Sequence, residues 1–324
     1  MRPIFLFYLL LLRSGCSFHA PRVASIVGAR TKKARSSNTA ALQQSQSSSS
    51  SSQTPVLLTF AATGITAVTA SAKLGLLPGP DGLEYTNDLI LRDVGCTVLT
   101  AVLASVFVKA MTYASEQGWL EPRDSRKLIH TLSAPLFLLF WPLFTDSGRF
   151  YAILVPLLKA IRLYRAGTAD AAEASLAAAV SRSGDANEAL GGPFIYVCAL
   201  AAAILFFWRS SAIGIVALCT LAVGDGLADL IGRRYGKGNA WPGLNKSVAG
   251  SLAFWVGSTV SSVAFLQWMS YWGCLDLSSY AGIDLWQRVG LITFGSAILE
   301  LVPIVDDNYS VPLSAALFTL LLLP

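Results

Sequence analysis

The chain has 324 residues, of which 54% are hydrophobic and only 13% are charged. This composition excludes a soluble globular domain and indicates a polytopic membrane protein. The formal net charge is +5, but residues 1–55 contain seven Lys or Arg and no acid, which leaves 17 basic and 19 acidic residues in the remainder. Because the body of the chain is nearly neutral, no nucleic-acid partner is expected.

The first 54 residues are interpreted as targeting sequence and not as part of the fold. Residues 1–17, MRPIFLFYLLLLRSGCS, have a short apolar core after an arginine, which predicts a signal peptide. Residues 18–54 are basic, rich in serine and free of acids, as transit peptides are. Together they resemble the bipartite leaders of algae with secondarily acquired plastids, so we predict a plastid membrane protein. A secretory signal followed by a Ser-rich linker is the alternative.

Residues 55–324 form the predicted membrane-embedded domain. Its apolar runs approach the roughly 20 residues that a spanning helix needs, so we predict an all-α fold, a transmembrane helical bundle of seven to nine spans. The longest hydrophilic connection, residues 166–193, is Ala-rich and amphipathic and predicts a short interfacial helix. The nine apolar runs lie near 56–77, 93–114, 127–145, 150–165, 193–208, 211–231, 247–272, 285–304 and 310–324.

The sixth run ends in GDGLADLIGRRYGKG, where Asp225 and Asp229 are four residues apart and share one helix face. Carboxylates at membrane depth are costly unless they are paired or bound to metal. A Mg²⁺ ion that carries a nucleotide phosphate would explain both, because it takes carboxylate oxygens together with substrate phosphates. We therefore predict a metal site at Asp225 and Asp229. The alternative is a topogenic basic loop whose arginines pair with the two acids.

Basic residues and glycines around this carboxylate pair predict an anion site. Lys246 and Ser247 stand at the start of the next helix, whose positive end favours phosphate. Glycines let the backbone approach an anion closely. The residues of this segment predicted to bind the nucleotide or its phosphates are Gly224, Gly226, Arg233, Arg234, Gly236, Lys237, Lys246 and Ser247.

Two further segments carry candidate residues. In DSRKLIH, Arg126 and His130 are one helical turn apart with Lys127 beside them, and this basic cluster favours phosphate contact over a hydrogen-bonded core histidine. In VDDNYSVP, three polar residues between two apolar helices predict a second metal or substrate-hydroxyl site. They are Asp306, Asp307 and Asn308. A plain turn also favours Asp and Asn, so that alternative stays open.

The segment GDGLADLIGRRYGK, followed by NKSVAGS, resembles the nucleotide-binding signature of the polyprenol kinase family. Three further segments agree in order and spacing with the phytol and farnesol kinase branch: SRKLIHTLSAPLFLLFWPLF, SRSGDANEALGGP and LELVPIVDDNYSVPL. The resemblance covers about residues 120–315. It implies transfer of a phosphate, typically from CTP, to the hydroxyl of an isoprenoid alcohol. With a plastid address, the expected alcohol is phytol, giving phytyl phosphate for tocopherol or related prenyl-lipid synthesis.

Phosphoryl transfer depends on charge neutralisation and alignment more than on covalent catalysis. Mg²⁺ on the paired carboxylates would bridge the triphosphate, and the basic residues would neutralise its developing charge. The alcohol's tail would lie among the helices, in contact with membrane lipid, and a carboxylate would orient or deprotonate its hydroxyl. The predicted catalytic residues are Asp225, Asp229, Asp306 and Asp307.

Two other functions remain as alternatives. A CTP-dependent cytidylyltransferase of a lipid phosphate has a similar Asp/Gly/Lys segment. It normally also has a C-terminal segment rich in Lys, Asp, Gly and His, and no histidine follows His130 here. A transporter would bind its anion between broken helices near the bilayer midplane, whereas the charges of this chain gather at helix ends.

The nine-span topology predicts that four segments emerge on one side of the membrane: residues 115–126, 166–192, 232–246 and 305–309. Twelve of the 17 Lys and Arg after residue 55 belong to that side. This bias is typical of the cytoplasm-equivalent face, which in a plastid is the stroma. All matched segments would therefore contribute to one site that faces soluble nucleotide.

Overall fold

The computed structural model describes residues 61–74, 85–168, 186–280, 283–302 and 306–323. The predicted targeting segments, residues 1–17 and 18–54, lie outside the described residues, as does most of the predicted interfacial helix. The described part is built of helices and short turns, without a β-strand. The prediction of an all-α helical bundle is therefore confirmed.

Each of the nine predicted apolar runs coincides with a helix. Residues 61–73 form α1, within the first predicted run. The remaining helices are α2 (Asn87–Glu116), α3 (Pro122–Leu138), α4 (Leu154–Gly167), α5 (Gly192–Phe206), α6 (Ala212–Tyr235), α7 (Val248–Tyr271), α8 (Ile283–Glu300) and α9 (Asp307–Leu322). A single turn, Arg149–Ala152, precedes α4, and a 3₁₀ turn, Ala186–Leu190, precedes α5.

Four of the described helices are long and apolar enough to cross a membrane. They are α2, α6, α7 and the stretch Asn187–Phe206, which joins the 3₁₀ turn to α5. The other helices are shorter or carry more charge. Helix α3 begins at Pro122, five residues before the apolar run 127–145, because its first turns are charged. Proline at the first helical position suits this start, since its missing N–H would be unpaired there in any case.

Helix α6 is the centre of the bundle. Of its most apolar 18 residues 67% are buried, against 11% in α2 and 28% in α7. A π-helical turn, Thr220–Gly224, interrupts α6 directly before Asp225. Such turns are rare and occur frequently at functional sites, because one extra residue reorients the side chains that follow. Asp225, the first of the two carboxylates predicted to bind metal, therefore lies where the π-helical turn returns to α-helix.

Small residues bring the neighbouring helices close to α6. A Cβ atom at Gly226 would overlap the Thr131 side chain of α3, and one at Gly224 would overlap the Ser258 hydroxyl of α7. Small residues at such crossings are the usual means by which membrane helices approach one another. Gly224 and Gly226 were predicted to approach a phosphate, but the structure instead places them against side chains of adjacent helices.

A separate polar network closes the opposite end of the bundle. The buried carboxylate of Asp93 accepts hydrogen bonds from the Tyr85 hydroxyl and from the backbone N–H and hydroxyl of Thr145. Arg209 pairs with Asp146 at 2.9 Å, just before α6 begins. These contacts satisfy polar groups that would be costly to bury alone. They place residues 141–149 and the start of α6 at the same end.

We expect cysteines introduced at the two ends of the bundle to be labelled from opposite sides of the membrane. Helix α7 has 24 residues, which at 1.5 Å per residue span about 36 Å, enough to cross the hydrocarbon core. In a background without native cysteines, cysteine at the exposed positions Glu121 and Lys237 should react with an impermeant thiol reagent from one side. Cysteine at the exposed Ser278, beyond the end of α7, should react only from the other. Labelling of all three from one side would contradict this topology.

Candidate active site

Helices α3 and α6 run antiparallel and face each other with charged side chains. As residue numbers rise along α3, the residue numbers of the partners on α6 decrease. Asp124 pairs with Arg233, Lys127 pairs with Asp225, and His130 lies beside Leu221. The charged positions recur every three or four residues on both helices, which keeps them on facing surfaces. The result is a ladder of ion pairs between the two helices, with an inner and an outer level.

The inner level consists of Lys127, His130 and Asp225. The Asp225 carboxylate accepts a hydrogen bond from Lys127 Nζ at 2.7 Å and lies 3.0 Å from His130 Nε2. The His130 ring packs against Tyr196, whose hydroxyl donates to the His130 carbonyl and accepts from the Ala134 N–H. Asp225 lies ten residues before the end of α6, so this level is about 15 Å below the helix end. Its lysine offsets the cost of a carboxylate at that depth.

The outer level consists of Arg123, Asp124, Asp229, Arg233 and Arg234. Asp229 pairs with Arg233 one helical turn later at 3.0 Å, and Arg123 approaches its other oxygen at 3.6 Å. Asp124 of α3 holds two arginines of α6, with Arg233 at 2.8 Å and Arg234 at 2.6 Å. Three cations face two carboxylates here, so the outer level carries a net positive charge.

A third group, the rim cluster, consists of Lys246, Glu300 and Asp307. Lys246 Nζ donates to Glu300 Oε1 at 2.7 Å and to Asp307 Oδ2 at 3.0 Å. Burial lowers the pKa of Lys246, but the two carboxylates outweigh this effect and the pKa is raised overall. Burial raises the pKa of Asp307, the lysine opposes the rise, and the carboxylates of Asp225 and Asp306 add to it. The rim cluster and the inner level are therefore electrostatically coupled.

The other two residues of the VDDN segment have local roles in the structure. The Asp306 carboxylate caps α9 by accepting from the backbone N–H of Asn308 at 2.9 Å and from its side-chain amide at 2.8 Å. A Cβ atom at Gly192 would lie 3.1 Å from the same amide nitrogen, so α5 packs against this corner. Asp306 therefore serves the turn, while Asp307 faces the site.

The loop between α6 and α7 is held by its own side chains. The Asn239 carbonyl and side chain accept from the N–H groups of Val248 and Ala249, and the Ser247 hydroxyl accepts from Gly250 N–H. The first amides of α7 are therefore already bonded. Side-chain capping therefore satisfies the helix start at Ser247 internally. The predicted phosphate contact of Ser247 stays a prediction.

The remaining predicted residues take varied positions. A Cβ atom at Gly236 would lie 2.6 Å from Ser247 Oγ, so this glycine allows the close turn after α6. Lys237 is exposed in the loop, and Arg126 is half-buried one turn before His130. Arg123 and Arg234 are the most exposed arginines of the outer level, with 63% and 56% of their side chains accessible.

Described residues of all four predicted segments lie at this end of the bundle. Ion pairs of Asp124 join residues 115–126 to 232–246, and the Lys246 pair joins the latter to 305–309. The approach of Gly192 to Asn308 adds the end of residues 166–192. Contacts among the described residues therefore join parts of all four segments, and the single site that they were predicted to form stays a prediction.

Within the described residues, no three His, Cys, Asp or Glu side chains come together to hold a metal ion unaided. Asp225 and Asp229 remain partly accessible, at 21% and 29%, and both are paired with cations. Two carboxylates are sufficient for Mg²⁺ when substrate phosphates complete its coordination. Asp225 and Asp229 therefore fit a Mg²⁺ ion that binds together with the phosphates of a nucleotide.

Known proteins similar to this chain are plant kinases. Phytol kinase 1, chloroplastic, of Arabidopsis thaliana is 37% identical over 261 residues, which cover 78% of this chain and 84% of that protein. Farnesol kinase, chloroplastic, of the same plant is 32% identical over 243 residues, covering 74% of this chain and 78% of that protein. The chain belongs to the phytol and farnesol kinase family. This confirms the resemblance drawn from the four segments.

No family model matches the chain, and no solved structure matches it. Membership of the phytol and farnesol kinase family makes the protein an enzyme, a phosphotransferase with an alcohol acceptor. Neither the cytidylyltransferase nor the transporter alternative has a counterpart among the relatives named above. The ladder and the rim cluster are thus the candidate active site of a kinase.

Proposed function

We propose that this protein transfers the terminal phosphate of CTP to the hydroxyl of phytol, releasing CDP and phytyl phosphate for tocopherol or related prenyl-lipid synthesis. The observation that supports this most directly is the ladder of α3 and α6. It places lysine and arginine side chains beside two partly accessible carboxylates at one end of an apolar bundle. Charge neutralisation of this kind is what phosphoryl transfer requires.

Asp225 and Asp229 would hold the Mg²⁺ of the nucleotide. When bound, this ion supplies positive charge to the oxygens of the transferred phosphate. Lys127 and Arg233, which neutralise the two carboxylates in the structure, lie where they would bind the triphosphate. Arg234 and Lys237 add exposed positive charge at the entrance, and Lys246 lies at the rim. This division gives each carboxylate a basic partner that can also bind a phosphate.

The alcohol would place its apolar tail among the helices and its hydroxyl near the rim cluster. Asp307 is the better of the two candidate carboxylates, because Asp306 is committed to capping α9. Lys246 orients Asp307, and burial raises the pKa of this carboxyl, which favours acceptance of a proton. In the reaction the alcohol oxygen bonds to the γ-phosphorus, the bond to the bridging oxygen breaks, and the hydroxyl proton passes to Asp307.

The protein is a multi-pass membrane protein, and the relatives named above are chloroplastic. We place the site on the stromal face, where soluble nucleotide is available. The excess of Lys and Arg at the site end of the bundle supports this orientation.

Product analysis tests the proposed function. Purified protein in lipid vesicles is incubated with labelled CTP, UTP or ATP and with phytol, geranylgeraniol, farnesol or dolichol. We expect CDP and phytyl phosphate to form in equal amounts, and the activity to disappear with a chelator and return with Mg²⁺. Release of pyrophosphate would instead indicate nucleotidyl transfer, and the absence of any phosphorylated alcohol would contradict the proposal.

A further inference from the structure

Asp124 of α3 lies outside the carboxylate pair of α6, yet it contacts both consecutive arginines of that helix. Its side chain is only 10% accessible. Oδ1 lies 2.8 Å from Arg233 Nη1, and Oδ2 accepts a hydrogen bond from Arg234 Nη2 at 2.6 Å. The two oxygens of one buried carboxylate are thus divided between two guanidinium groups.

Neighbouring side chains on a helix diverge by about 100°, because the helix has 3.6 residues per turn. Arg233 and Arg234 therefore point in different directions unless a group outside α6 draws them together. Asp229 does not do this, since it lies one turn before Arg233 on the same helix and, of these two consecutive arginines, pairs with Arg233. Asp124 approaches from α3 and pairs with both guanidinium groups on the side of α6 that faces α3.

The Arg233 guanidinium is held on two edges but is not satisfied. Nε donates to Asp229 at 3.1 Å, while Nη1 faces Asp124. Nη2 is buried and makes no aligned hydrogen bond within the described residues, although Asp229 Oδ2 is 3.0 Å away. A buried donor without an aligned hydrogen bond is unfavourable, and an anionic oxygen is the acceptor that suits a guanidinium.

We infer that Asp124 is a positioning residue that presents Arg233 and Arg234 together to the triphosphate of the nucleotide. This inference rests on the proposed function. Asp124 does not touch the reacting atoms; it fixes the direction of two side chains that do. The ion pair of Arg233 with Asp229 lies within one helix, so it does not fix the Arg233 side chain relative to α3. The buried contact from a second helix supplies the missing constraint.

Steady-state kinetics of Asp124→Asn test this role. The variant keeps the shape of the side chain but removes its charge, so we expect the KM for CTP to rise about tenfold or more, the effect of losing one charged hydrogen bond. The KM for phytol should not change. Asp124→Glu retains the charge and should recover most of the CTP affinity.

Asp146→Asn is the matched control, because it removes a carboxylate paired with Arg209 at the opposite end of the bundle. It should leave the KM for CTP unchanged. An Asp124→Asn variant with the wild-type KM for CTP, or with equal rises for CTP and phytol, would overturn the positioning role.

A thermal-shift titration with CTP separates this inference from the proposed function. If the wild-type protein shows no kinase turnover but is stabilised by CTP, the proposed function fails. Loss of that stabilisation in Asp124→Asn, and its retention in Asp146→Asn, would still support the positioning role. Equal stabilisation of wild type and Asp124→Asn, or no stabilisation of the wild type, would overturn it.

Discussion

Replacing Asp225 by Asn is expected to reduce turnover by roughly a hundredfold or more, about 3 kcal/mol of transition-state stabilisation. Asp225 lies within hydrogen-bond distance of both Lys127 and His130, so the variant would lose a proposed metal ligand and the charge that orients both partners. Asp229→Asn should have a similar effect, since it removes the second proposed ligand. Turnover with saturating CTP, phytol and Mg²⁺ is the measurement.

Asp284→Asn is the control for this experiment. Asp284 also pairs with an arginine one turn away, Arg288 at 2.8 Å, but it lies at the start of α8. Its loss should leave turnover unchanged. Near-normal activity of either Asp225→Asn or Asp229→Asn at saturating Mg²⁺ would show that the metal assignment of that residue is wrong.

Gly226→Ala is expected to abolish most activity by separating α3 from α6. The added Cβ would overlap the Thr131 side chain, and overpacking of this kind costs about 1–3 kcal/mol. Alanine in place of glycine stabilises a helix by up to about 1 kcal/mol, so the cost of the clash outweighs this stabilisation. Because the ladder depends on contacts near 3 Å, even a small displacement of α3 weakens it. Turnover and the melting temperature in detergent are the measurements.

Gly290→Ala is the matched control, because a Cβ at that helical position meets nothing within 4 Å. It should be neutral or slightly stabilising. Thr131→Ala in the Gly226→Ala background removes the most severe overlap and should restore part of the stability and activity. A Gly226→Ala variant as stable and active as Gly290→Ala would contradict the close packing of α3 on α6.

The helical segments could be predicted from the sequence because bilayer thickness sets a length that apolar runs must approach. Their ends could not. Helix α3 begins at Pro122 and α6 continues to Tyr235, in both cases through charged turns that a hydropathy count excludes. Charged residues extend a helix when a neighbouring helix supplies partners, as Asp124 and Arg233 do for each other.

The composition of the site was also largely predictable. The two carboxylates four residues apart, the basic residues near them and the VDDN segment stand out because charge is expensive in a membrane protein. The four quoted segments also sufficed to indicate the kinase family, which the relatives confirm. Asp124 lies within the segment DSRKLIH, but acids are common in the first turn of a helix, so the sequence does not mark Asp124 as a residue of the site.

The sequence by itself thus determined the fold class, the family and most of the charged residues of the site. Only the tertiary structure decided their partners: Lys127 with Asp225, Asp124 with two arginines, Lys246 with Asp307. It also assigned Gly224 and Gly226 to helix packing and Asp306 to a cap. The physical reason is that these pairs are about 60 to 110 residues apart in sequence. Their register depends on how closely the helices pack, and local periodicity carries no information about that distance.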